Sequence, residues 1–313
     1  MTENGQTFHP DLRAARFLPR GLVGPRQLRL IRALTGLAGR KLPPGAVQVP
    51  VTPEVRVDVY GRTVPGAENA TCKPALLWIH GGGMVIGHAR MDSRFCARVA
   101  RELGAIVVSV EYRLAPEHPY PTPLEDCYTA LSWLAAQPDV DLDRIAIGGA
   151  SAGGGLAAGL ALLARDRADI HPAFQLLVYP MLDDRTNTRT DIDERHLRMW
   201  SPANNHFGWQ SYLGPHLTPG QPDGVPHPAA PARAEDLTGL PPAWIGVGTH
   251  DLFHDEDVTY AERLRQVGVP CDLHIVPGAY HGFDSVQGKT GVARDFTRQQ
   301  IAALTRAIGR PAT

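Results

Sequence analysis

The sequence is poor in cysteine and in net charge, and it contains no long apolar run. Four cysteines with no CxxC pair among 313 residues favour buried free thiols over a disulfide framework or a zinc site. A formal net charge of −1 lacks the basic excess of nucleic-acid-binding proteins. No stretch approaches the ~20 apolar residues of a membrane-spanning helix, and the N-terminal stretch lacks the order of a signal peptide. We therefore expect a cytoplasmic protein with no nucleic-acid partner and no integral membrane association.

What the sequence does contain indicates a large α/β core. Hydrophobic residues make up 43% of the chain, and from about position 47 short β-branched runs alternate with longer helical patterns. This alternation is typical of a mostly parallel sheet flanked by helices. The predicted strands are 47–51, 54–60, 75–79, 105–110, 144–148, 174–179, 243–247 and 271–276. The predicted helices are 92–103, 123–137, 152–166, 255–267 and 292–308.

Two segments fall outside this alternation. Residues 1–45 carry arginines and an apolar spacing that predicts an amphipathic helix outside the sheet. Residues 185–225 hold few strand signals but several aromatic side chains, among them Trp200. The apolar spacing of the first segment is carried by Leu28, Ile31, Leu34 and Leu37. We expect both segments to form a cap over one face of the sheet.

The first chemical motif lies where a predicted strand meets a predicted helix. Residues 149–153 match GxSxG, directly after strand 144–148 and directly before helix 152–166. A nucleophilic serine on a sharp strand-to-helix turn requires this context, and glycines flank it because larger side chains would clash. The turn also brings the N–H of Ala152 to a helix N-terminus, where developing negative charge is favoured. The motif therefore predicts Ser151 as a nucleophile.

A glycine run follows an earlier predicted strand. Residues 80–83 read HGGG directly after strand 75–79. Backbone N–H groups can approach a substrate oxygen closely there, so the run can supply oxyanion donors. The competing interpretations are nucleotide-binding loops. They fail because no GxxxxGK[ST] pattern follows, and GxGxxG is absent here and at 246–251.

A serine nucleophile needs a base, and the base needs an orienting acid, in the chain order serine, acid, histidine for this architecture. Asp251 lies just beyond strand 243–247, and His281 lies just beyond strand 271–276. Both follow the carboxyl ends of strands, where open α/β sheets build their sites. These positions predict Asp251 as the acid and His281 as the base.

Other residues near Asp251 keep two alternatives open. The acid could be one of its neighbours, whose other explanation is favourable charge at a helix N-terminus. A metal could also be held by Asp251 with two nearby histidines, although no HExxH order supports this. The alternative acids are Asp255, Glu256 and Asp257, and the histidines are His250 and His254.

Taken together, these motifs resemble the hormone-sensitive-lipase family of α/β-hydrolase esterases, also called bacterial family IV. The resemblance spans about residues 75 to 285. It rests on HGGG at 80–83, EYRLAPEHPYPTPLED at 111–126, GASAGG at 149–154, the acid segment 251–256 and HGF at 281–283. It implies an eight-stranded, mostly parallel sheet with a helical cap, and hydrolysis of small-molecule carboxylic esters with neither cofactor nor metal.

The resemblance also assigns roles by position. It implies Ser151 as nucleophile, His281 as base and Asp251 as acid. The N–H groups of Gly81, Gly82 and Ala152 would form the oxyanion hole. It divides the chain into an N-terminal cap segment at 1–45 and a catalytic domain at 46–313, with 185–225 as a cap insertion. It further implies a homodimer through the edge strand near 271–276.

Two positions depart from the family, and two further functions stay open. Ala150 stands where the family usually has Asp or Thr, and His254 where Arg is common. The acyl chains are expected to be short to medium because of the cap aromatics and the resemblance. The same triad could instead cleave amides, lactones or acetyl esters, since a triad fixes reaction type better than leaving group. A non-catalytic small-molecule receptor on this fold is the alternative from another class.

Overall fold

Eight strands form one sheet in the structure, a computed structural model that describes residues 7–38, 41–61, 72–215, 218–221 and 224–309. The strands are β1 (Ala46–Pro50), β2 (Arg56–Tyr60), β3 (Lys73–Ile79), β4 (Ile106–Glu111), β5 (Val140–Ala150), β6 (Phe174–Val178), β7 (Ala243–His250) and β8 (Cys271–Tyr280). Their order in the sheet is β1-β2-β4-β3-β5-β6-β7-β8. Strand β2 is antiparallel to both neighbours, and the strands from β4 to β8 in this order pair in parallel. The predicted α/β fold with an eight-stranded, mostly parallel sheet is confirmed.

Helices cover both faces of this sheet. They are α1 (Leu28–Ala38), α2 (Ser93–Leu103), α3 (Thr122–Ala135), α4 (Ala152–Arg167), α5 (Pro202–Leu213), α6 (His254–Gln266), α7 (Phe283–Val286) and α8 (Gly291–Ile308). Side chains of β3 alternate between the faces, as the two-residue period of a strand requires. Ala75, Leu77 and Ile79 join the apolar cluster under α3, α4 and α6. Leu76 and Trp78 join the cluster under α2 and α8.

The two predicted cap segments contact each other. Asn204 of α5 accepts a hydrogen bond from the N–H of Leu22 at 3.1 Å and donates to the carbonyl of Val23. The N–H of Met199 donates to the carbonyl of Pro19 at 3.0 Å. Backbone groups of residues 19–23 are therefore bonded to residues 199–204. The role of the two segments as a cap stays a prediction.

The helix predicted near the N-terminus is present as α1, but its apolar stripe is only partly buried. Leu28 is buried and Ile31 is half-buried, whereas Leu34 is 61% exposed. The reason is that Arg32 occupies the inward side, where its guanidinium donates to the carbonyls of Val85 and Ala115. The side chain of Leu37 lies outside the described part of the chain.

The cysteine prediction holds for three of the four positions. Cys96, Cys127 and Cys271 are buried free thiols, but Cys72 is exposed because it precedes β3 and takes no part in the sheet. Within the described residues, no helix has both the length and the hydropathy that crossing a bilayer requires.

Candidate active site

Ser151 occupies the sharp turn between β5 and α4. Its φ of 57° lies in the left-handed region, which a residue with a Cβ adopts only under strain. Backbone hydrogen bonds hold it there: the N–H of Ser151 donates to the carbonyl of Val178 at 2.9 Å. Its carbonyl accepts from the N–H groups of Gly155 and Met181, both at 3.0 Å. The predicted order of strand, turn and helix is present, and it presents the serine hydroxyl at the carboxyl end of β5.

The glycines of the GxSxG motif are a steric requirement of this turn. A Cβ on Gly149 would lie 2.4 Å from the carbonyl oxygen of Gly153. A Cβ on Gly153 would lie 2.0 Å from the carbonyl oxygen of Ile79. Both obstacles are backbone atoms, which cannot rotate away as the end of a side chain could. Without side chains at these two positions, α4 can start directly against the end of β3.

The structure brings together the three side chains that the sequence predicts. The Nε2 atom of His281 lies 2.9 Å from Oγ of Ser151, and its Nδ1 atom lies 2.8 Å from Oδ2 of Asp251. The other carboxylate oxygen of Asp251 accepts from the N–H of Phe253 at 3.0 Å. All three residues are buried. One imidazole therefore bridges a hydroxyl and a carboxylate out of bulk water.

The alternative acids bond elsewhere. Asp255 forms an ion pair with Arg189 at 2.6 Å. Glu256 accepts from the N–H of Leu182 at 2.7 Å. Asp257 is fully buried, and its desolvation raises the pKa of its carboxyl well above the usual range. The pKa of Glu256 is raised for the same reason. Asp251 is the carboxylate that meets His281.

The two histidines considered as metal ligands have other neighbours. His254 lies with Nδ1 2.8 Å from Asp255. His250 stacks on His196, with ring centroids 4.5 Å apart. In the ranges that the structure describes, no group of three or more His, Cys, Asp or Glu side chains has the arrangement of a metal site.

The HGGG loop lies directly against the turn that carries Ser151. A Cβ on Gly81 would lie 2.9 Å from the carbonyl oxygen of Ala150, so this glycine allows the loop to pack on the turn. Gly82 has a φ of 114°, which favours glycine, and its carbonyl accepts from the N–H groups of Val85 and Ile86. Among the described residues, the N–H groups of Gly81 and Gly82 have no backbone acceptor. Their loop packs on the turn that carries Ser151, where the sequence predicts oxyanion donors.

His80 supports this loop as a neutral side chain. Its Nδ1 atom lies 2.7 Å from the carbonyl oxygen of Gly81, and its ring stacks on Tyr112 with centroids 4.2 Å apart. The hydroxyl of Tyr112 donates to the carbonyl of His80 at 3.0 Å. Complete burial lowers the pKa of His80 to about 4. The neutral ring therefore donates from Nδ1, and this bond orients the peptide of Gly81.

Burial of neutral His80 predicts a loss of stability in acid. Between pH 6.5 and about 4 the unfolded chain binds a proton at His80 that the folded chain does not. Folding stability should therefore fall as pH falls through this range, by roughly 3 kcal/mol from this group. A His80→Asn variant lacks this pH-dependent contribution to the free energy of unfolding. We expect the variant to be less stable than the wild type at pH 8, and the gap to narrow by about that amount at pH 4.

Urea unfolding at both pH values measures this gap. His171 is exposed, so His171→Asn is the matched control, and its gap from the wild type should not change with pH. A gap that is equally large at pH 4 and pH 8 for His80→Asn would show that protonation of His80 does not oppose folding.

Three aromatic side chains surround the imidazole, and two were not predicted. Tyr179 and Phe253 present ring contacts to His281, with centroid separations of 4.9 and 5.2 Å. The hydroxyl of Tyr179 donates to Asp284 at 2.8 Å. Trp200, one of the predicted cap aromatics, has its ring 6.4 Å from His281. The signal for Tyr179 is its place at the end of predicted strand 174–179, at the same edge of the sheet as Ser151.

Ala150, which stands where the family usually has Asp or Thr, borders open space behind the serine turn. Ala150 lines a cavity of about 720 Å³ together with Asp92, Tyr179 and Asp284. Burial raises the pKa of Asp92 to about 6, although the indole N–H of Trp78 donates to its carboxylate at 2.8 Å. Polar groups thus lie behind the turn even though position 150 itself has only a methyl group.

Comparison with known proteins agrees with this arrangement. The family model described as α/β hydrolase fold matches residues 76–285, about two thirds of the chain. The chain belongs to the α/β-hydrolase family. The predicted resemblance to its hormone-sensitive-lipase-like esterases is confirmed.

Relatives of this α/β-hydrolase are named as esterases. Esterase LipI of Mycobacterium tuberculosis is 38% identical over 237 residues, which cover 74% of this chain and 72% of LipI. Carboxylesterase NlhH of the same species is 38% identical over 242 residues, which cover 75% of this chain and 74% of NlhH.

Solved structures extend the likeness to almost the whole chain. The bacterial heroin esterase superposes with a TM-score of 0.85 at 38% identity and covers 98% of this chain and 99% of its own. Esterase LipW from Mycobacterium marinum gives a TM-score of 0.80 at 32% identity, with 97% of both chains covered. This α/β-hydrolase is a carboxylesterase whose substrates are small ester molecules.

Proposed function

We propose that Ser151, His281 and Asp251 form the catalytic triad of this carboxylesterase. The single observation that carries the proposal is the His281 ring, which lies within hydrogen-bond distance of both Ser151 and Asp251. Oγ of Ser151 attacks the ester carbonyl carbon while Nε2 of His281 accepts its proton. The imidazolium then donates this proton to the departing alkoxide, which leaves an acyl-enzyme on Ser151. Water, deprotonated by His281, hydrolyses the acyl-enzyme and regenerates the serine.

Asp251 has an orienting and electrostatic role in this proposal. Its Oδ2 atom accepts a hydrogen bond from the Nδ1–H of His281, which keeps the proton on Nδ1 and leaves the lone pair of Nε2 directed at Ser151. The bond from the N–H of Phe253 fixes the carboxylate itself. The buried negative charge then stabilises the imidazolium that forms in each step.

The oxyanion hole completes the proposed site. The N–H groups of Gly81 and Gly82 come from a loop packed on the serine turn, and the N–H of Ala152 is the first of α4. The first N–H groups of a helix have no intrahelical acceptor and lie at the positive end of its dipole. Three donors would therefore surround the oxygen on which negative charge develops in the tetrahedral intermediate.

A serine-directed fluorophosphonate probe tests the proposal. The probe should phosphonylate Ser151, which peptide mass mapping identifies, because only a serine activated by a neighbouring base reacts at neutral pH. Heat-denatured protein and the Ser151→Ala variant are the controls, and neither should be labelled. An adduct on a different serine would contradict the assignment, and ligand binding without any labelling would support the receptor alternative.

We further propose that Trp200 restricts the acyl group to short and medium chains. Trp200 is 4% exposed, and its ring tip occupies the space beside Gly83, where a Cβ would lie only 2.2 Å away. The indole N–H lies 3.3 Å from the amide oxygen of Asn205 and donates to it, which fixes the ring. The indole thus lies between the oxyanion loop and His281 and takes up room that a long acyl chain would need.

Replacing Trp200 with alanine is expected to move the preferred acyl chain to greater length. The removed indole opens space next to Ser151, so kcat/KM for decanoyl relative to acetyl p-nitrophenyl esters should rise by about tenfold or more, the effect of one or two added methylene contacts. The control is Trp133→Ala, which removes an indole on α3. An equal loss of kcat/KM for every chain length would contradict the proposal, because it would indicate damage to the site rather than a wider pocket.

Strand β8 forms one edge of the sheet. We propose a homodimer formed through β8, because β8 ends the sheet and pairs only with β7 among the described strands. Ile275 on this strand is 39% exposed. A monomeric mass in sedimentation velocity would contradict the dimer.

We also propose a cytoplasmic location, which four free cysteines support because oxidising compartments favour disulfides.

A further inference from the structure

A cavity of about 900 Å³ lies outside the proposed catalytic site, between the N-terminal segment, the loop at residues 195–198 and residues 277–278 of β8. Its charged lining consists of four arginines and two histidines, with no carboxylate among the described lining residues. These side chains are His9, Arg13, Arg16, Arg195, His196 and Arg198. We call this cavity the arginine cavity.

The walls of the arginine cavity are anchored to the rest of the protein. The N-terminal segment forms a 3-10 helix at Pro10–Phe17, in which Leu12 and Ala15 are fully buried. The N–H of His9 donates to the carbonyl of Gly278 at 3.0 Å. Nε of Arg198 donates to the carbonyl of Ala15 at 2.9 Å. The backbone that carries Arg13 and Arg16 and the side chain of Arg198 are therefore anchored to the rest of the protein.

Among the described residues, carboxylates compensate little of the positive charge in this space. Arg195 pairs with Asp193 at 2.6 Å. Within the described chain, no carboxylate lies within ion-pair distance of the other three arginines, Arg13, Arg16 and Arg198. Among the described residues, Arg198 bonds to carbonyl oxygens alone, and its guanidinium lies 5.0 Å from the ring of Phe8. Counted over the described residues, three of the four arginine charges thus remain after Asp193 has neutralised one.

Another arginine-rich cavity in the same protein provides the contrast. It is also lined by four arginines, but four carboxylates line it as well. Arg185 pairs with Asp183 at 2.8 Å and Arg189 pairs with Asp255 at 2.6 Å. Three of its four arginines pair with carboxylates, Arg233 with Asp184 at 2.6 Å, whereas among the described residues one of the four in the arginine cavity does so. A high arginine content alone therefore does not explain the excess charge.

We propose that the arginine cavity binds a phosphate group, at a site separate from the ester-cleaving centre. Guanidinium groups match the tetrahedral oxygens of phosphate and form strong charge-assisted hydrogen bonds with them. A dianionic phosphate would neutralise most of the remaining charge. His9 adds a donor, since its Nδ1 atom accepts from the N–H of Asp11 at 3.1 Å and its proton is therefore on Nε2. The phosphate belongs either to a small soluble molecule or to a lipid headgroup.

A bound phosphate would also lie close to the orienting acid of the proposed triad. His196 in the cavity wall stacks on His250, and the ring of Phe8 contacts both at centroid separations of 5.3 and 5.5 Å. His250 directly precedes Asp251 in the chain. His250 would thus separate the bound phosphate from Asp251. The phosphate would also contact both the N-terminal segment and the 195–198 loop.

Calorimetric titration of the full chain with inorganic phosphate tests whether the source is a small soluble molecule. Chloride keeps the ionic strength constant during the titration. We expect saturable binding and a higher melting temperature with phosphate, because a ligand of the folded state stabilises it. The double variant R13Q/R16Q should bind about tenfold more weakly or worse, since each guanidinium contact to phosphate is a hydrogen bond between charged groups. Both arginines are exposed, so folding should not depend on them. R195Q is a second variant that should weaken binding.

The matched control is R26Q/R29Q, which removes two exposed arginines of the same N-terminal region that do not line the cavity. Sedimentation with phosphatidylglycerol vesicles, compared with phosphatidylcholine vesicles, tests the lipid arm. Vesicle binding that R13Q/R16Q abolishes, with no binding of inorganic phosphate, identifies a headgroup as the source. No binding in either arm would overturn the proposal. Equal weakening by R13Q/R16Q and R26Q/R29Q would overturn it too, because the effect would then be non-specific charge.

Discussion

Replacing Ser151 with alanine is expected to lower kcat by a factor on the order of 10⁶, and His281→Ala is expected to have nearly the same effect. The double variant should be no slower than either single variant. The reason is that the hydroxyl and the imidazole act as one unit: Oγ of Ser151 is a weak nucleophile unless Nε2 of His281, 2.9 Å away, accepts its proton. The residual rate would come from the oxyanion donors and from substrate binding, which both variants retain.

The measurement is steady-state hydrolysis of p-nitrophenyl butyrate by variants whose melting temperatures match that of the wild type. Two controls remove the same functional groups elsewhere. Ser132→Ala deletes a hydroxyl that donates to the carbonyl of Tyr128 in α3, and His171→Ala deletes an exposed imidazole. Both should keep full activity. Losses that multiply in the double variant would mean that the two side chains act independently, which the triad proposal does not allow.

The sequence specifies this arrangement to a large extent, because local patterns encode the order of strands and turns. All eight strands occur where β-branched runs predict them. Their ends are less well predicted: β7 extends to His250 and β8 to Tyr280, beyond the predicted ends at 247 and 276. His250 and Tyr280 pair with each other after an irregularity in the ladder. Pairing between residues 30 positions apart is not a local signal, so periodicity could not reveal it.

The resemblance implies a helical cap, but the apolar pattern of residues 185–225 did not locate helix α5, for a related reason. Its inward positions include Asn204 and Asn205, both buried, which removes the apolar spacing that predicts a helix. The helix forms because these amides find partners: Asn204 bonds to residues 22 and 23, and Asn205 donates to the side chain of Asn187 at 3.0 Å. Ser201 caps its N-terminus. Tertiary hydrogen bonds thus replace the hydrophobic pattern in this segment.

The same distinction applies to the site. Motifs predicted the residues that carry reactive groups, because each follows the end of a strand. They did not predict the groups that hold the reactive ones in place, such as Tyr179 beside His281 or Tyr112 under His80. Those contacts depend on how side chains from distant elements pack together. The glycines of GxSxG belong to both classes. Their spacing is visible in the sequence, but the need for glycine at Gly153 comes from contact with the end of β3.

Gly153→Ala is therefore expected to destabilise the whole fold. The new methyl group would lie 2.0 Å from the carbonyl oxygen of Ile79 and 2.5 Å from that of His80. Both oxygens belong to backbone that is fixed on two sides, by pairing of β3 with its neighbours and by the HGGG loop. Relief of the clash requires α4 to move away from the sheet, which opens the buried core beneath it. We expect a loss of roughly 3 kcal/mol or more in the free energy of unfolding.

The control that isolates this clash is Gly36→Ala, the same substitution in a helix where no atom lies within 4 Å of the new methyl group. There the change should be neutral or stabilising by up to about 1 kcal/mol, because alanine favours a helix over glycine. Urea unfolding of both variants measures the difference, and failure of only Gly153→Ala to accumulate as soluble protein would agree with it. A Gly153→Ala variant as stable as the wild type would show that α4 can shift on the sheet at little cost. If that variant also kept full activity, the serine turn would not need the close contact between α4 and β3 that this structure assigns to it.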